Sequence, residues 1–139
     1  HLATTLGKRT SVIVSKAECI PKMADNVLRY GFRESVVSFK SAGLEVHEFQ
    51  KEAEYTKDKL RMLASQAVES DMAEVIVLGC TAQFGFFREL QEEIGVPVID
   101  AVMASLKYAE LLIELRDTFG WNHSKAYTYQ GPPAGEIRL

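Results

Sequence analysis

The sequence predicts an α/β protein with a mostly parallel sheet flanked by helices on both faces. Short runs of apolar and β-branched residues alternate with longer stretches of helical periodicity, which is the order expected of a parallel sheet. The run Val75–Leu78 is wholly apolar, as a strand covered on both faces should be. The length of 139 residues favours a single α/β lobe. We place this lobe at residues 1–120 and expect the tail at 121–139 to wrap a surface.

The first half of the chain predicts one strand, two helices and two ambiguous runs. Thr10–Val14 is rich in β-formers and indicates a buried strand. Ile20–Tyr30 predicts a helix because its apolar residues recur on one face, a proline suits its first turn and a glycine follows it. Ser35–Phe39 and Leu44–Phe49 are weaker strand candidates, which form a hairpin unless one of them is a loop. Lys57–Glu69 predicts an amphipathic helix.

The second half predicts two strands that alternate with two helices. Val75–Leu78 is followed by a helix at Phe84–Ile94, which a glycine ends. Val96–Ile99 indicates another buried strand, with its proline near the start, where a missing N–H is tolerated. Ala101–Phe119 predicts the longest helix, and its inward face is expected to carry Val102, Leu106, Ala109 and Ile113.

The charge balance gives no case for a nucleic-acid or membrane partner. The 16 basic and 19 acidic residues are interspersed and leave a net charge of -3. No apolar run approaches the roughly 18 residues of a membrane span, and no signal peptide is visible. We therefore expect a cytoplasmic protein. The two cysteines, Cys19 and Cys80, and the three histidines have no metal-ligand spacing, so we expect no metal site.

The chain opens on the sequence HLATTLG rather than on an initiating methionine. Leu2–Leu6 followed by Gly7 is typical of the last turn of a helix and its glycine stop. We therefore expect a missing segment upstream of His1, the alternative being a tag remnant or a processing scar.

The carboxyl ends of the predicted strands bring three polar segments together. In parallel α/β sheets, ligands bind beyond the carboxyl ends of the strands. This edge of the sheet, hereafter the carboxyl edge, should carry Ser15–Lys16, Gly79–Cys80–Thr81 and Asp100. A small-molecule site is therefore predicted there.

Of the residues expected at this edge, Cys80 has the side chain best suited to take part in a reaction. Gly79 allows close backbone approach, and the helix expected near Phe84 would favour the thiolate of Cys80 through its partial positive charge. Thr81 and neighbouring amides could hold an anionic substrate oxygen. The position of Cys80 alone is equally compatible with a buried, inert cysteine that fills space.

Each of the other candidate residues has a possible structural role as well as a functional one. Cys19 lies early in the first long helix and is expected mainly to pack. Asp100 stands where an N-cap is needed for the long helix, so it caps, contacts substrate or does both. Ser15 and Lys16 could bind an anion, although a lysine there is more often solvated.

The segment VIVLGCTAQFGFFRELQEEIGVPVIDAVMASLKYAE, Val75–Glu110, resembles the second cysteine segment of the aspartate/glutamate racemase superfamily. Within that superfamily it is most similar to the hydantoin and allantoin racemase branch, which joins an LGC strand end to a GVPVID-like segment and a long helix. The tail adds Ser124–Lys125, Tyr127 or Tyr129, and Pro132–Pro133, and HLATTLGKRTSVIVS resembles the entry to the second lobe. The resemblance covers essentially the whole chain.

The resemblance implies one lobe of a pseudo-symmetric, two-lobed racemase that works without a cofactor. Two cysteines would face each other across a substrate carbon, one removing a proton and the other returning one. Cys80 matches the second of these cysteines, and Thr81 matches a residue that helps to hold the substrate. The first cysteine belongs to an N-terminal lobe that is absent here, and Cys19 does not match it.

The resemblance also implies a small-molecule substrate, a 5-substituted hydantoin or allantoin, and a partner for the surface that the other lobe would cover. We expect homo-oligomers or association with an N-terminal lobe. Relatives with other chemistry stay open as alternatives, namely amino-acid racemases, arylmalonate decarboxylases and maleate isomerases. A non-catalytic binding domain or an inactive fragment is the further alternative.

Overall fold

The computed structural model describes residues 1–127 and shows helices alternating with the strands of one sheet. The four strands of this region are β1 Thr10–Val14, β2 Val36–Ser41, β3 Val75–Leu78 and β4 Val98–Asp100. Its α-helices are α1 Leu2–Leu6, α2 Ile20–Arg29, α3 Ala53–Asp71, α4 Phe87–Ile94 and α5 Ala101–Phe119. Short 3₁₀ turns occupy Ala17–Cys19 and Thr81–Gln83.

The sheet has the strand order β2-β1-β3-β4, and every neighbouring pair is parallel. All five residues of β1 are buried, because this strand has neighbours on both sides and helices on both faces. Parallel neighbours require crossover connections, which helices supply. The predicted parallel α/β architecture is confirmed.

The two faces of the sheet can be assigned from the register of β1 and β3. Ile13 pairs with Leu78, so both side chains point to the face where Leu60 of α3 and Leu90 of α4 share their hydrophobic cluster. Val12 points to the opposite face, where Met23 of α2 lies close to it. Helices therefore cover both faces, as predicted.

The segment 44–49 shows which of the two ambiguous runs is a loop. Of the two ambiguous runs, the first forms β2, whereas Leu44–Phe49 is irregular and then turns. The N–H of Glu45 donates to Glu48 Oε2 at 2.6 Å, which closes the turn locally, and Phe49 is fully buried beneath it. Leu44 and Phe49 are buried and anchor a loop, whereas Val46 is exposed.

Two predicted boundaries in the second half are wrong. The helix expected from Phe84 begins at Phe87, because Phe84 is extended and Gly85 has φ +91°, which no α-helix accommodates. The strand expected at Val96–Ile99 is Val98–Asp100, because Pro97 has no N–H to donate. Its carbonyl still accepts the N–H of Ile76 at 2.9 Å, so the ladder starts beside the proline.

Helix α5 has the predicted bounds, but its expected inward stripe is wrong. Leu106 and Ile113 are each about half exposed, at 50% and 51%, and the helix has no buried residue. The chain divides into two compact units, His1–Leu106 and the segment from Lys107 onward. The predicted tail roles of Tyr129 and Pro132–Pro133 lie outside the described residues. Within residues 1–127, no helix is both long and apolar enough to cross a bilayer.

Candidate active site

The carboxyl ends of β1, β3 and β4 bring the predicted segments to one edge of the sheet. Ser15 follows β1 directly, Gly79 and Cys80 follow β3, and Asp100 ends β4. The N–H of Gly79 donates to the Ile13 carbonyl at 2.8 Å, which extends the β1–β3 ladder to this edge. The sheet register sets Leu78 beside Asp100. The edge predicted from the strand order is therefore present.

Gly79 is required by its surroundings. A Cβ atom at this position would lie 2.8 Å from Val12 Cγ1, 3.1 Å from Met23 Cε and 3.2 Å from the Ile13 carbonyl oxygen. The nearest of these distances is shorter than real side chains show, and Val12 is itself buried in the sheet. The expected close approach of backbone at Gly79 is confirmed. It lets β3 deliver Cys80 to the edge in contact with β1.

Cys80 is half-buried and begins a tight turn. Its backbone is extended, and the 3₁₀ turn Thr81–Gln83 starts immediately after it. The N–H of Cys80 donates to Gln83 Oε1 at 3.2 Å, and the N–H of Gln83 donates to the Cys80 carbonyl at 3.0 Å. The thiol thus sits on a turn that closes on itself. We call residues 80–85 the Cys80 turn.

The structure removes one of the reasons for expecting a reactive thiol. The α-helix that was to follow Cys80 begins only at Phe87, so Cys80 lies at the start of a short 3₁₀ turn. The dipole of an α-helix acts within its first turn, so α4 acts weakly at the distance of Cys80. Any activation of this thiol must therefore come from nearer polar or positively charged groups.

The solvent side of the Cys80 turn carries a hydroxyl and an aromatic ring. Thr81 is exposed, and Phe84 is half exposed at 50%, whereas Phe86 is buried in the core. A thiol, a hydroxyl and an apolar ring therefore occupy one accessible turn. Such a set can bind a small molecule that has both polar and apolar parts.

Asp100 caps helix α5, which was one of its two predicted roles. Its Oδ1 accepts the N–H groups of Val102 at 2.8 Å and Met103 at 3.2 Å, which caps α5. Its Oδ2 accepts the N–H of Gly85 at 2.9 Å. The side chain is only 4% exposed. Asp100 therefore joins the start of α5 to the Cys80 turn, and its predicted substrate contact stays a prediction.

Ser15 and Cys19 lie at the carboxyl end of β1. Ser15 is buried, and its Oγ is 3.6 Å from Cys19 Sγ. Cys19 is exposed rather than packed, because it starts α2 at the surface. Lys16 forms an ion pair with Glu45, and this contact raises the pKa of the Lys16 ammonium and lowers the pKa of the Glu45 carboxyl. Lys16 is therefore a paired lysine.

Two glutamines contact the Cys80 turn and were not singled out from the sequence. Gln83 follows Cys80 by three residues, a spacing at which a side chain can reach back to the N-cap backbone, so it had a local signal. Gln50 donates from Nε2 to the carbonyls of Ala82 at 2.9 Å and Phe84 at 3.0 Å. It is more than thirty residues away in the chain, and no local pattern points to it.

Metal-binding side chains are not gathered in this part of the molecule. Across residues 1–127, no group of three or more His, Cys, Asp or Glu side chains could hold a metal ion.

In open parallel α/β sheets, ligands bind beyond the carboxyl ends of the strands, and Cys80 lies there directly after the inner strand β3. Comparison with known proteins is more specific. The chain belongs to the Asp/Glu/hydantoin racemase family, whose family model matches residues 1–109. This finding confirms the resemblance seen in the sequence.

Relatives and solved structures agree with this assignment. The chain is 35% identical over 98% of its length to a hydantoin racemase from Pseudomonas sp., and 34% identical over 95% to one from Paenarthrobacter aurescens. It spans 53% and 54% of those two proteins. Its structure matches 57% of an allantoin racemase from Pseudomonas fluorescens, with 29% identity over 99% of this chain and a TM-score of 0.83.

Proposed function

We propose that this chain forms part of a cofactor-independent racemase of 5-substituted hydantoins or allantoin, with Cys80 as one proton-transfer group. The observation that carries the proposal is the position of Cys80, half-buried directly after β3 at the carboxyl edge. The similarity to hydantoin racemases and to an allantoin racemase supports this substrate class. The chain spans about half the length of these relatives, so the activity of the whole protein is itself a proposal.

The proposed step is a proton transfer at the ring carbon next to a carbonyl. The thiolate of Cys80 removes the proton, so the C–H bond breaks, an S–H bond forms and the electron pair moves onto the carbonyl oxygen as an enolate. An acid on the opposite face then protonates the carbon, which restores the carbonyl and inverts the centre. The reverse direction exchanges the roles of the two groups. No oxidant or second substrate is consumed.

The enolate oxygen needs hydrogen-bond donors, and the Cys80 turn offers them. Thr81 is exposed beside Cys80, and its hydroxyl is proposed to donate to this oxygen. Gly79 is proposed to let the substrate approach the backbone closely, while Ser15 and Asp100 are proposed as further substrate-side residues. A hydantoin suits this site better than a free amino acid, because it has no ionised carboxylate to oppose a second negative charge.

The acid on the opposite face is proposed to come from a lobe outside these residues. Cys19 is a poor candidate, because it is exposed at the start of α2 and lies next to Ser15 rather than in the Cys80 turn. The proposed arrangement is therefore a site shared between this lobe and another, with Cys80 on this side.

Polarimetry on a single enantiomer of a 5-substituted hydantoin tests the proposal. With the proposed second lobe present, the protein and its Cys19→Ser variant should abolish the optical rotation, whereas Cys80→Ser should leave it decaying at the rate of buffer alone. The corresponding free amino acid serves as a second substrate and should keep its rotation. Racemisation of the free amino acid alone would overturn the substrate class, and full activity of Cys80→Ser would overturn the role of the thiol.

A further inference from the structure

Three side chains from separate parts of the chain hold the Cys80 turn. Gln83 binds the backbone N–H of Cys80 from within the turn, Gln50 binds two carbonyls from the loop after β2, and Asp100 binds the N–H of Gly85 from the end of β4. We propose that Gln50 and Gln83 are positioning residues that fix the direction of the Cys80 thiol. This inference rests on the proposed function of Cys80.

The contact made by Gln50 is geometrically demanding. Its single amide nitrogen donates to the carbonyls of Ala82 and Phe84 at 2.9 and 3.0 Å, so one side chain spans the turn. The preceding residue, Phe49, is fully buried, which anchors the loop that presents the amide. An exposed amide of this kind adds little to stability, because water can replace its partners. Its effect is to hold two carbonyls at a fixed separation.

The burial of Gln83 points to the same role. The residue is fully buried, its Oε1 accepts the Cys80 N–H, and its Nε2 is buried without a hydrogen-bond partner among residues 1–127. Leaving a buried donor unsatisfied costs free energy, so an apolar side chain of similar shape would suit the core better. The contact that Gln83 does make is with the backbone of Cys80. This contact with the Cys80 backbone therefore accounts for the buried glutamine.

The two contacts act on different atoms of the same turn. Gln83 sets the start of the turn at Cys80, while Gln50 fixes the carbonyls at its middle and end. A thiol that removes a proton must point at the reacting carbon within a narrow range, and small displacements lower the rate far more than they lower binding. Losing either contact should therefore reduce kcat while leaving KM nearly unchanged.

The experiment compares Gln50→Met and Gln83→Met with the control Gln66→Met, in which an exposed glutamine of α3 is changed in the same way. Racemisation of a 5-substituted hydantoin gives kcat and KM, and urea unfolding gives the stability. Both turn variants should lose about tenfold in kcat with KM within about twofold of wild type. Gln66→Met should match wild type. Gln50→Met is the safer test, since the Gln50 side chain is exposed, whereas Gln83 is fully buried.

A second readout separates this proposal from the proposed function. In a Cys19→Ser background, the rate at which iodoacetamide alkylates Cys80 reports on the turn without any catalysis. This rate should rise several-fold in Gln50→Met and stay unchanged in Gln66→Met. If the protein racemises nothing with the proposed second lobe present, the proposed function fails and alkylation alone decides the role of Gln50. A wild-type alkylation rate in Gln50→Met overturns the positioning role, as does a variant that raises KM at constant kcat.

Discussion

At the scale of single residues, the position of Cys80 is set by neighbouring residues whose own side chains are unreactive. Gly79 was recognisable from the sequence, because a glycine between a buried strand and a cysteine predicts close backbone approach. Gln83 was within reach of sequence reasoning through its spacing from Cys80. Gln50 was not, since its hydrogen bonds form only after the loop following β2 has folded against the Cys80 turn.

Gly79→Ala should destabilise the protein through steric conflict at the carboxyl edge. The added Cβ would lie 2.8 Å from Val12 Cγ1 and 3.2 Å from a carbonyl oxygen of β1, and neither atom can move freely. Overpacking of this kind costs about 1–3 kcal/mol, which urea unfolding can measure.

The double variant Val12→Ala/Gly79→Ala provides the control for this prediction. Removing the Val12 methyl groups opens space for the new Cβ, so the two substitutions together should cost less than the sum of their separate effects. Strict additivity would show that the conflict with Val12 is not the cause.

At the scale of elements, the sequence located β1, β3 and α5 with their observed bounds and α2 to within one residue. The sequence patterns of these elements are long or uniform enough to predict them from local sequence alone. The sequence left segment 44–49 open between strand and loop, because Leu44 and Val46 alternate with polar or charged residues, as in a strand, although only Leu44 of the two is buried. The start of α4 was predicted three residues too early, because Gly85 has a positive φ that belongs to the Cys80 turn, and the apolar periodicity does not reveal it.

The exposed state of α5 could not be predicted from its pattern. Apolar residues occur on most sides of this helix, so a stripe can be drawn through several of them, and periodicity alone does not say which side is covered. Burial depends on what the rest of the protein places against the helix. This information is not local.

The edge strand β2 is tied to α3 by an ion pair, and this pair predicts a pH dependence of stability. Lys40 Nζ lies 2.7 Å from Asp71 Oδ2, and Lys40, followed by Ser38, holds the pKa of the Asp71 carboxyl below its ordinary value. A carboxyl with a lowered pKa in the folded state stabilises the protein above its unfolded pKa of about 3.9. The stabilisation is lost as the pH falls through the lower, folded value.

Asp71→Asn should therefore lower the free energy of unfolding at neutral pH by about 1 kcal/mol or less, because the pair is partly exposed. The difference from wild type should shrink as the pH falls below about 4. Urea unfolding at several pH values measures it, and Glu69→Gln on the exposed side of α3 is the control. A difference that stays constant down to the lowest pH would show that the charge of Asp71 is not responsible.

At the scale of the whole molecule, the chain spans about half the length of its relatives, and we propose that it carries one side of the site. The alignment with the hydantoin racemase from Pseudomonas sp. covers 98% of this chain but only 53% of that protein. The fold, the family and the place of Cys80 could be predicted from the sequence. The proposed opposing group could not, because on this proposal it lies in another lobe, and the pattern within one lobe does not show it.

Self-association stays a prediction, and the segment from Lys107 onward gives it a physical basis. Several large apolar side chains there are about half exposed or more: Tyr108, Leu111, Leu112, Ile113, Phe119 and Trp121. Clustered apolar surface of this kind is typical of an interface. Sedimentation velocity should therefore show species larger than a monomer that grow with concentration.

The charge variant Leu112→Glu should weaken this association, while Leu28→Glu on exposed α2 should leave it unchanged. Both positions are exposed, so neither substitution should disturb the core. A sedimentation profile that is monomeric at every concentration would contradict the prediction.

The most direct test of the central claim is hydrogen exchange at the reacting carbon. The protein, Cys19→Ser and Cys80→Ser are each incubated with a 5-substituted hydantoin in D₂O, and the loss of the ring C–H signal is followed by proton NMR against buffer alone. If Cys80 transfers the proton, wild type and Cys19→Ser exchange this hydrogen well above the buffer rate, and Cys80→Ser falls to that rate. Exchange by Cys80→Ser at the wild-type rate would contradict the account.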